Sequence, residues 1–312
     1  MFLDLNIPVD NDDKFAHMQM AALANALVEL GYDGCAYNVT LKNKVPKDHV
    51  CNVQPLALVA SEAVGRQLSG SSMLRLQADA RGFRQLRRLT VLLEDTTHVH
   101  TLSASNPALK QYDVVAVQPT DERTFQQACT GLDVDVISID FTQRLPYHLK
   151  LQHVQQAVER GVYFEICYSP MIKDASCRRN LISNAMSLLR ACKRSNVFMS
   201  SAASRAFDLR GPYDVMNLGC LFGLHPSAAR AVLGHNPAAV LSCGFANRKT
   251  FRGAASIEFD AAPPLELKPS QAKRESEKRA REVPGAGKGK QRREESDDFI
   301  GLGGGGSSDD SD

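Results

Sequence analysis

The amino-acid sequence predicts an α/β barrel of parallel strands followed by a disordered C-terminal tail. Short apolar runs of strand length recur roughly every 20 to 35 residues, and stretches with helical periodicity lie between them. Strand–helix–strand units of this kind cross over with one handedness and close into a barrel. Seven strands can be assigned, and the same number fits an open doubly wound sheet. No GxGxxG or Walker sequence follows a strand, so a nucleotide-binding sheet has no support.

The composition fits one large domain with additional polar sequence. The chain has 312 residues, of which 43% are hydrophobic, and a formal net charge of +2. This charge alone does not identify a nucleic-acid binder. The eight cysteines lie far apart without a CxxC pair, so we interpret them as reduced packing residues. No apolar run approaches the ~18 residues of a membrane span, so we expect a soluble, intracellular protein with no membrane partner.

The first strand and helix lie at the N-terminus. Phe2–Leu5 has the apolar character of a strand, and Asp12 or Asp13 can cap the helix that follows. Gly31 is the expected residue at the end of that helix. The apolar stripe predicted to face the core is Phe15, Met18, Ala22, Leu27 and Leu30.

The second and third strands enclose a stretch without clear periodicity. Cys35–Val39 is the second strand and Leu89–Leu93 the third. Between them, residues 40–87 contain prolines, glycines and a run of serines, which indicates an insertion or an elaborate crossover. A basic cluster is predicted on the approach to the third strand, and it consists of Arg81, Arg84, Arg87 and Arg88.

The next units alternate strand and helix regularly. Val114–Val117 and Val134–Ile139 are strands, and the helix between them begins at Asp121 and ends at Gly131. Residues 146–160 form the crossover to the next strand.

The stretch from residue 162 to 224 carries the clearest strand and helix signals. Val162–Cys167 is apolar enough for a strand buried on both faces, and Ser169-Pro170 ends it. Asp174 or Ser176 can cap the following helix. Its predicted buried stripe is Leu181, Ala185, Leu188, Leu189 and Cys192. Val197–Met199 is the last strand, and Arg210-Gly211-Pro212 marks a helix start.

The composition changes near residue 260. Pro226–Leu233 and Pro237–Leu241 are predicted short helices that complete a domain of residues 1–259. Residues 260–312 lack the apolar content to fold and form a basic and then acidic tail, which we predict to be disordered. The tail contains a predicted nuclear import signal made of Lys273, Arg274, Lys278, Arg279, Arg281, Lys290, Arg292 and Arg293.

Arginines near predicted helix starts suggest an anion-binding rim. Arg178 and Arg179 lie close to the positive end of a helix dipole, where cations are unfavourable unless an anion is present. In a parallel barrel the loops after the strands meet at the C-terminal rim. Arg205, Arg210 and the small residues Ser200 and Ser201 can therefore converge there. The alternative is that Asp174 pairs with Arg178 and the other arginines are solvated.

Five blocks of the sequence resemble a known family. They are YDVVAVQP (112–119), LDVDVISID (132–140), RGVYFEICYSPMIKD (160–174), RRNLISNAM (178–186) and LRGPYDVMNLGCLFGL (209–224). They resemble the thirty-kilodalton protein subunit of archaeal and eukaryotic nuclear ribonuclease P, which eukaryotes share with ribonuclease MRP. The resemblance covers the chain up to the predicted tail.

The resemblance implies both a fold and a function. The implied fold is a distorted TIM-like barrel of the polymerase-and-histidinol-phosphatase (PHP) type. The implied function is that of a noncatalytic, RNA-binding subunit in tRNA and rRNA processing, where the ribonuclease P RNA removes the 5′ leader of precursor tRNA. The implied partners are the ribonuclease P and MRP RNAs, a small RRM-like subunit, other ribonuclease P proteins and, indirectly, precursor tRNA. The implied location is the nucleus and nucleolus.

Because of the resemblance, we predict that the anion-binding rim contacts RNA. It adds Lys173 to the rim, and the sequence contributes the basic pair Arg248-Lys249. The residues predicted to bind RNA phosphates are Lys173, Arg178, Arg179, Ser200, Ser201, Arg205, Arg210, Arg248 and Lys249.

The sequence leaves two alternative functions open. A PHP-type phosphoesterase needs several His and Asp ligands, beginning with a His-x-His pair after the first strand, where this chain has Asp4-Leu5-Asn6. We therefore treat Asp4 and Asn6 as degenerate metal-site positions and expect no metal or cofactor, although His98-Val99-His100 is a conceivable displaced pair. The second alternative is a protein-interaction scaffold whose rim faces another subunit.

Overall fold

Seven parallel strands form one sheet that curls into a nearly closed barrel. A computed structural model describes residues 1–9, 16–54, 56, 83–103 and 105–248. The strands pair in chain order. They are β1 (Leu3–Pro8), β2 (Gly34–Lys42), β3 (Arg84–Leu93), β4 (Val114–Pro119), β5 (Val136–Ser138), β6 (Tyr163–Cys167) and β7 (Val197–Ser200). This arrangement confirms the predicted barrel over the open doubly wound sheet.

The seam between β1 and β7 is closed by the residues that follow β7. The backbone N–H of Ser201 donates to Asp4 Oδ1 at 3.1 Å, and that of Ala202 donates to the Asn6 carbonyl at 3.0 Å. In the described residues, β1 pairs as a strand with β2 alone and β7 with β6 alone. The barrel therefore depends at this seam on a few specific hydrogen bonds.

Helices surround the sheet, and the last three of them follow β7. They are α1 (Ala16–Leu30), α2 (Glu122–Thr130), α3 (Leu151–Glu159), α4 (Ser169–Lys173), α5 (Ala175–Ala191), α6 (Pro212–Leu221), α7 (Pro226–Leu233) and α8 (His235–Arg248). The predicted helix at Pro237–Leu241 is thus part of the longer α8. Short 3-10 turns occur at Val99–Leu102, Pro107–Gln111 and Ala206–Asp208.

Local capping signals were predicted correctly for α2 and α5. Asp121 and Thr124 form a reciprocal capping box at the start of α2, and Gly131 follows its last residue. Asp174 caps α5 by accepting from the backbone N–H of Cys177 at 3.0 Å. The stripe predicted for α5 is buried in full.

The predicted stripe of α1 was wrong in its phase. Met18 is 69% exposed and Leu30 is 37% exposed. Ala22 is exposed as well, and Phe15 lies outside the described residues. The face that packs on the sheet carries Met20, Leu23, Ala24 and Leu27. Because apolar residues lie on more than one side of this helix, packing against the sheet decides which side is buried. Gly31 ends the helix with a φ of +87°, as predicted.

The segment between the second and third strands is shorter than predicted. β2 continues to Lys42 and pairs with β3 from Gly34 opposite Arg84 to Lys42 opposite Leu92. The strands approach so closely at Gly34 that a Cβ there would lie 2.6 Å from the Arg84 carbonyl oxygen. The segment is therefore 43–83, and most of it, like the predicted tail 260–312, lies outside the described residues.

The predicted basic cluster before the third strand belongs to the strand itself. Arg84, Arg87 and Arg88 are residues of β3, whereas Arg81 lies outside the described residues. Arg84 is exposed, but Arg88 has no exposed surface. Alternating direction of side chains along a strand places Arg88 inside the barrel.

The N-terminal half of the barrel interior is apolar. Its buried side chains come from five strands and from α8, which packs against this end of the barrel. They are Leu3, Leu5, Ala36, Val114, Ala116, Val136, Phe198 and Val240. A larger apolar core fills the space between the outer face of the sheet and the surrounding helices.

A buried ion pair crosses the barrel between β3 and β6. Arg88 Nη1 lies 2.5 Å from Glu165 Oε1, and Nη2 lies 2.6 Å from Oε2. Arg88 also donates to the Leu5 carbonyl at 2.9 Å and to Thr90 Oγ1 at 3.1 Å. Burial alone would raise the pKa of Glu165, but the Arg88 guanidinium holds it below its usual value. Both groups therefore remain charged inside the fold.

The ion pair belongs to a closed ring of hydrogen bonds, which we call the polar ring. From Arg88 it runs through Thr90 to Asn38 Oδ1 at 2.7 Å, and Asn38 Nδ2 donates to Asn6 Oδ1 at 2.8 Å. It continues from Asn6 Nδ2 to Cys167 Sγ at 3.5 Å, and from Cys167 to Ser200 Oγ at 3.6 Å. Ser200 Oγ closes it by donating to Glu165 Oε1 at 2.6 Å. Five strands contribute side chains to the ring.

Removal of one charge from the pair is expected to destabilise the barrel strongly. Glu165→Leu leaves the Arg88 cation buried without a partner, so the free energy of unfolding should fall by about 3–5 kcal/mol. The double variant Arg88→Met, Glu165→Leu leaves no buried charge and should recover at least ~1 kcal/mol of that loss. Urea unfolding measures both. Equal stability of the single and double variants would contradict the unpaired-charge explanation.

Candidate nucleic-acid interface

The C-terminal mouth of the barrel is lined by neutral polar side chains that already bond to one another. Asn6 uses its amide oxygen for Asn38 and its amide nitrogen for Cys167. Asn6 and Asn38 are each only 5% exposed. In the described part of the chain, no group of three or more His, Cys, Asp or Glu residues could hold a metal ion. His98 and His100 lie with ring centroids 6.2 Å apart on a surface turn.

Asp4, the other degenerate metal-site position, lies buried at the seam. Its Oδ1 accepts from the backbone N–H groups of Ser201 and Asn6, while its Oδ2 has no hydrogen-bond partner. Burial raises the pKa of Asp4 to about 6, and the nearby charge of Glu165 acts in the same direction. The carboxyl group therefore serves the closure of the barrel.

Four exposed cations lie on α4, on α5 and beside the turn Ala206–Asp208, and both α5 and this turn contact α4; we call these cations the basic corner. They are Lys173, Arg178, Arg179 and Arg205. Lys173 Nζ lies 3.1 Å and Arg205 Nε 3.2 Å from the same oxygen of Asp208. The Asp208 side chain is only 5% exposed, whereas that of Arg205 is 67% exposed. Two cations thus share one recessed carboxylate and keep an excess positive charge at the surface.

Arg178 and Arg179 are exposed at the start of α5. Arg178 Nε donates to the Met171 carbonyl at 2.9 Å, which ties the side chain to α4. Neither arginine forms an ion pair with a described residue. The predicted alternative, a pair between Asp174 and Arg178, is not formed because the Asp174 carboxylate accepts from Ser176 Oγ and Cys177 N instead.

The dipole of α5 does not act on Arg178 and Arg179 as the sequence predicted. α5 begins at Ala175, so Arg178 and Arg179 are its fourth and fifth residues, where the dipole effect has largely faded. Asp174 already supplies the anion at this helix start. Its pKa is lowered, first by the Ser176 hydroxyl and then by the backbone N–H of Cys177. The feature that favours anion binding at this corner is the exposed positive charge of arginines without an ion pair to a described residue.

The predicted roles of Ser200 and Ser201 in phosphate binding were wrong. They are 1% and 0% exposed, so a phosphate outside the barrel cannot reach them. Ser200 is a member of the polar ring, and Ser201 Oγ accepts from the backbone N–H of Ala203 at 3.1 Å. Small polar residues after a strand can form a ligand-binding loop, or they can line a polar barrel interior. The sequence alone does not distinguish these two structures.

Arg210 is held by hydrogen bonds of its backbone and of its guanidinium group. Its backbone N–H donates to Tyr168 Oη at 3.1 Å, and its carbonyl accepts from Tyr32 Oη at 3.0 Å. Tyr168 follows β6 and Tyr32 precedes β2, so these side chains reach Arg210 from opposite ends of the barrel. Arg210 Nη1 donates to the carbonyls of Phe207 and Leu209. The half-buried guanidinium therefore stabilises the preceding turn.

Arg248 lies at the opposite end of the barrel from the basic corner. Its side chain is 6% exposed, and its Nη2 lies 2.7 Å from Asp135 Oδ2 and 2.6 Å from the Asp113 carbonyl. Both aspartates directly precede strands, which places them at the N-terminal end. The predicted phosphate contact of Arg248 was therefore wrong. Lys249 and the eight residues of the predicted import signal lie outside the described residues.

The sequence did contain a signal for the residues that were missed. β6 carries a single charge, Glu165, inside an otherwise apolar strand. Buried charges are usually paired, so Glu165 predicts a buried cation, but three arginines in β3 leave open which of them is the partner. Arg205 and Asp208 are three residues apart, a spacing that predicts their ion pair.

Comparison with known proteins identifies similar sequences and a similar fold. The family model "RNase P subunit p30" matches residues 1–249. "Ribonuclease P protein subunit p30" of Mus musculus is 38% identical over 250 residues, which cover 80% of this chain and 88% of the relative. "Ribonuclease P/MRP protein subunit RPP1" of Saccharomyces cerevisiae is 26% identical over 261 residues, which cover 81% of this chain and 83% of the relative.

A solved structure supports the fold. A chain in the cryo-EM structure of archaeal ribonuclease P with mature tRNA matches with a TM-score of 0.55 and 14% identity. The match covers 82% of this chain and 99% of that chain. Within the described residues, none of the helices has the length and apolar character needed to cross a membrane.

The buried Asp4 predicts a specific dependence of stability on pH. An aspartate whose pKa is raised from 3.8 to about 6 on folding stabilises the folded state at low pH and loses that contribution as the pH rises through 6. The stability of the wild-type protein relative to Asp4→Asn should therefore fall by roughly 2.5 kcal/mol between pH 4 and pH 7. Urea unfolding across this range measures it, with the exposed Asp48→Asn as control. A pH-independent difference between wild type and Asp4→Asn would refute the assignment.

Proposed function

The chain belongs to the RNase P subunit p30 family, and from that membership we propose that it works as a noncatalytic, RNA-binding subunit of ribonuclease P. In this role it supports the removal of the 5′ leader from precursor tRNA, while the RNA of the particle carries out the reaction. Its RNA partner is the ribonuclease P RNA, which it holds by phosphate contacts. Precursor tRNA is engaged indirectly.

The proposal extends to a second particle and to further partners. The name of the yeast relative includes ribonuclease MRP, which supports a role for this chain in that particle and in rRNA processing. The protein partners are a small RRM-like subunit and other ribonuclease P proteins. The basic blocks of residues 268–293 favour nuclear and nucleolar localisation.

The observation that carries the RNA contact is the charge of the basic corner. Arg178 and Arg179 are exposed without a carboxylate partner among the described residues, and Lys173 and Arg205 share Asp208. Guanidinium groups bind phosphate oxygens in a bidentate manner. A phosphate backbone at this corner would neutralise charge that the protein leaves uncompensated, and it would release condensed counterions.

The barrel interior supports a noncatalytic role. Metal-dependent barrels bind their ions at the C-terminal mouth with His and Asp ligands. Here Asn6 and Asn38 are bonded to each other, and the Arg88 guanidinium lies below them in the polar ring. Both Glu165 oxygens are occupied by Arg88, so this carboxylate is not free to bind a metal ion. Hydrolysis of a simple phosphodiester by the purified chain, dependent on added Mn²⁺ and lost in Asp4→Ala, would contradict this part of the proposal.

Neutralisation of the two exposed arginines should change the salt dependence of RNA binding. In Arg178→Ala, Arg179→Ala the log–log slope of affinity against salt concentration should become shallower by about 0.7–0.9 for each lost phosphate contact. The measurement is a titration of ribonuclease P RNA with the full chain at several salt concentrations.

A matched control removes the same charge from the other end of the same helix. Arg190 is the penultimate residue of α5, and Lys193 follows the helix, with both side chains exposed. Arg190→Ala, Lys193→Ala should leave the slope closer to that of the wild type. Equal slopes for both double variants would show that net charge alone determines binding, which contradicts a site at the basic corner.

A further inference from the structure

Phe207 is an aromatic side chain held almost completely in solvent. It is 91% exposed, more than any other large hydrophobic side chain in the described residues. It lies in the 3-10 turn Ala206–Asp208, which follows β7 on the way to α6. A phenyl ring presents a large apolar area that a partner can bury on binding.

The turn that carries Phe207 is firmly held. Asp208, the next residue, is recessed and bound by Lys173 and Arg205. The Phe207 carbonyl accepts from Arg210 Nη1 at 2.8 Å, and the backbone N–H of Asp208 donates to the Arg205 carbonyl at 3.0 Å. The ring therefore projects from a fixed backbone, and its exposure does not result from a loose loop.

The immediate surroundings of Phe207 are cationic. Arg205 and Lys173 flank the turn with side chains 67% and 39% exposed, and their shared carboxylate points inward. An apolar pocket of a partner protein closing over Phe207 would desolvate these cations at a high cost. A nucleic-acid strand can instead cover the ring with a base and place phosphates beside the cations.

We propose that Phe207 stacks on an unpaired base of RNA, with neighbouring phosphates of that strand bound by Arg205 and Lys173. This inference rests on the proposed role as an RNA-binding subunit and adds the class of RNA that the site takes. The strand must be single-stranded at this point, because the bases of an A-form duplex are already stacked on each other and its major groove is too narrow. A loop, bulge or junction of the RNA fits this requirement.

The experiment compares substitutions of Phe207 in the full chain. The probes are a short fluorescein-labelled single-stranded RNA and the RNA duplex of the same sequence. Phe207→Ala should weaken single-strand binding roughly 5- to 100-fold, because one base stack is lost. The salt slope should not change, since a phenyl ring contacts no phosphate. Phe207→Trp should bind at least as tightly as the wild type, and Phe207→Leu as weakly as Phe207→Ala.

Controls separate stacking from other effects. Phe245→Ala removes a 52% exposed phenylalanine from α8 and should not change RNA affinity. Thermal unfolding should be unchanged in all Phe207 variants, because the side chain makes little contact with the rest of the fold. Duplex binding should be affected by Phe207→Ala much less than single-strand binding.

Three outcomes would overturn the inference. One is an unchanged affinity of Phe207→Ala, and another is wild-type affinity of Phe207→Leu, which would indicate an apolar contact without stacking. The third is a loss of co-assembled protein subunits in Phe207→Ala with RNA affinity retained, which would assign the ring to a protein partner. If the Arg178, Arg179 variant loses salt slope while Phe207→Ala binds normally, the proposed function stands and only the stacking fails.

Discussion

The Arg88–Glu165 ion pair is the constraint on which the rest of the barrel depends. It joins β3 to β6 through two contacts of 2.5 and 2.6 Å, and both groups have no solvent exposure. Buried charges are tolerated only with complete hydrogen bonding, so their neighbours must be polar. Thr90, Asn38, Asn6, Cys167 and Ser200 meet this requirement and complete the polar ring. The ring in turn links strands on both sides of the seam between β1 and β7.

The polar interior of the barrel limits what its C-terminal mouth can bind. A barrel whose C-terminal mouth is filled by side chains bonded to each other offers few free groups to a substrate. Exposed cations without an ion pair to a described residue lie outside the mouth, and Arg178 and Arg179 at the basic corner are among them. The turn after β7 presents Phe207 and holds Asp208 between Lys173 and Arg205. Parallel barrels usually keep their sites at the C-terminal mouth, whereas the RNA contact proposed for this chain lies on its outer surface.

The sequence was sufficient for features that depend on local spacing. The strand runs, the capping box of Asp121 and the buried stripe of α5 each involve residues within a few turns of one another. It was insufficient where the partner is distant, since Arg88 and Glu165 are 77 residues apart. Arg210 and Arg248 appeared equivalent to Arg178 in sequence, but Arg210 donates to carbonyls of its own turn and Arg248 pairs with the distant Asp135. The resemblance to a family supplied the function, and the structure was needed to decide which cations are free.

The account is tested most directly by mapping where RNA touches the chain in the assembled ribonuclease P particle. Ultraviolet crosslinking followed by mass spectrometry of RNA-linked peptides makes this measurement on the full chain. The account predicts crosslinks in residues 173–179 and 205–210, with Phe207 among the modified side chains. Crosslinks concentrated instead at the N-terminal end around Arg248, or at the barrel mouth around Asn38, would contradict it.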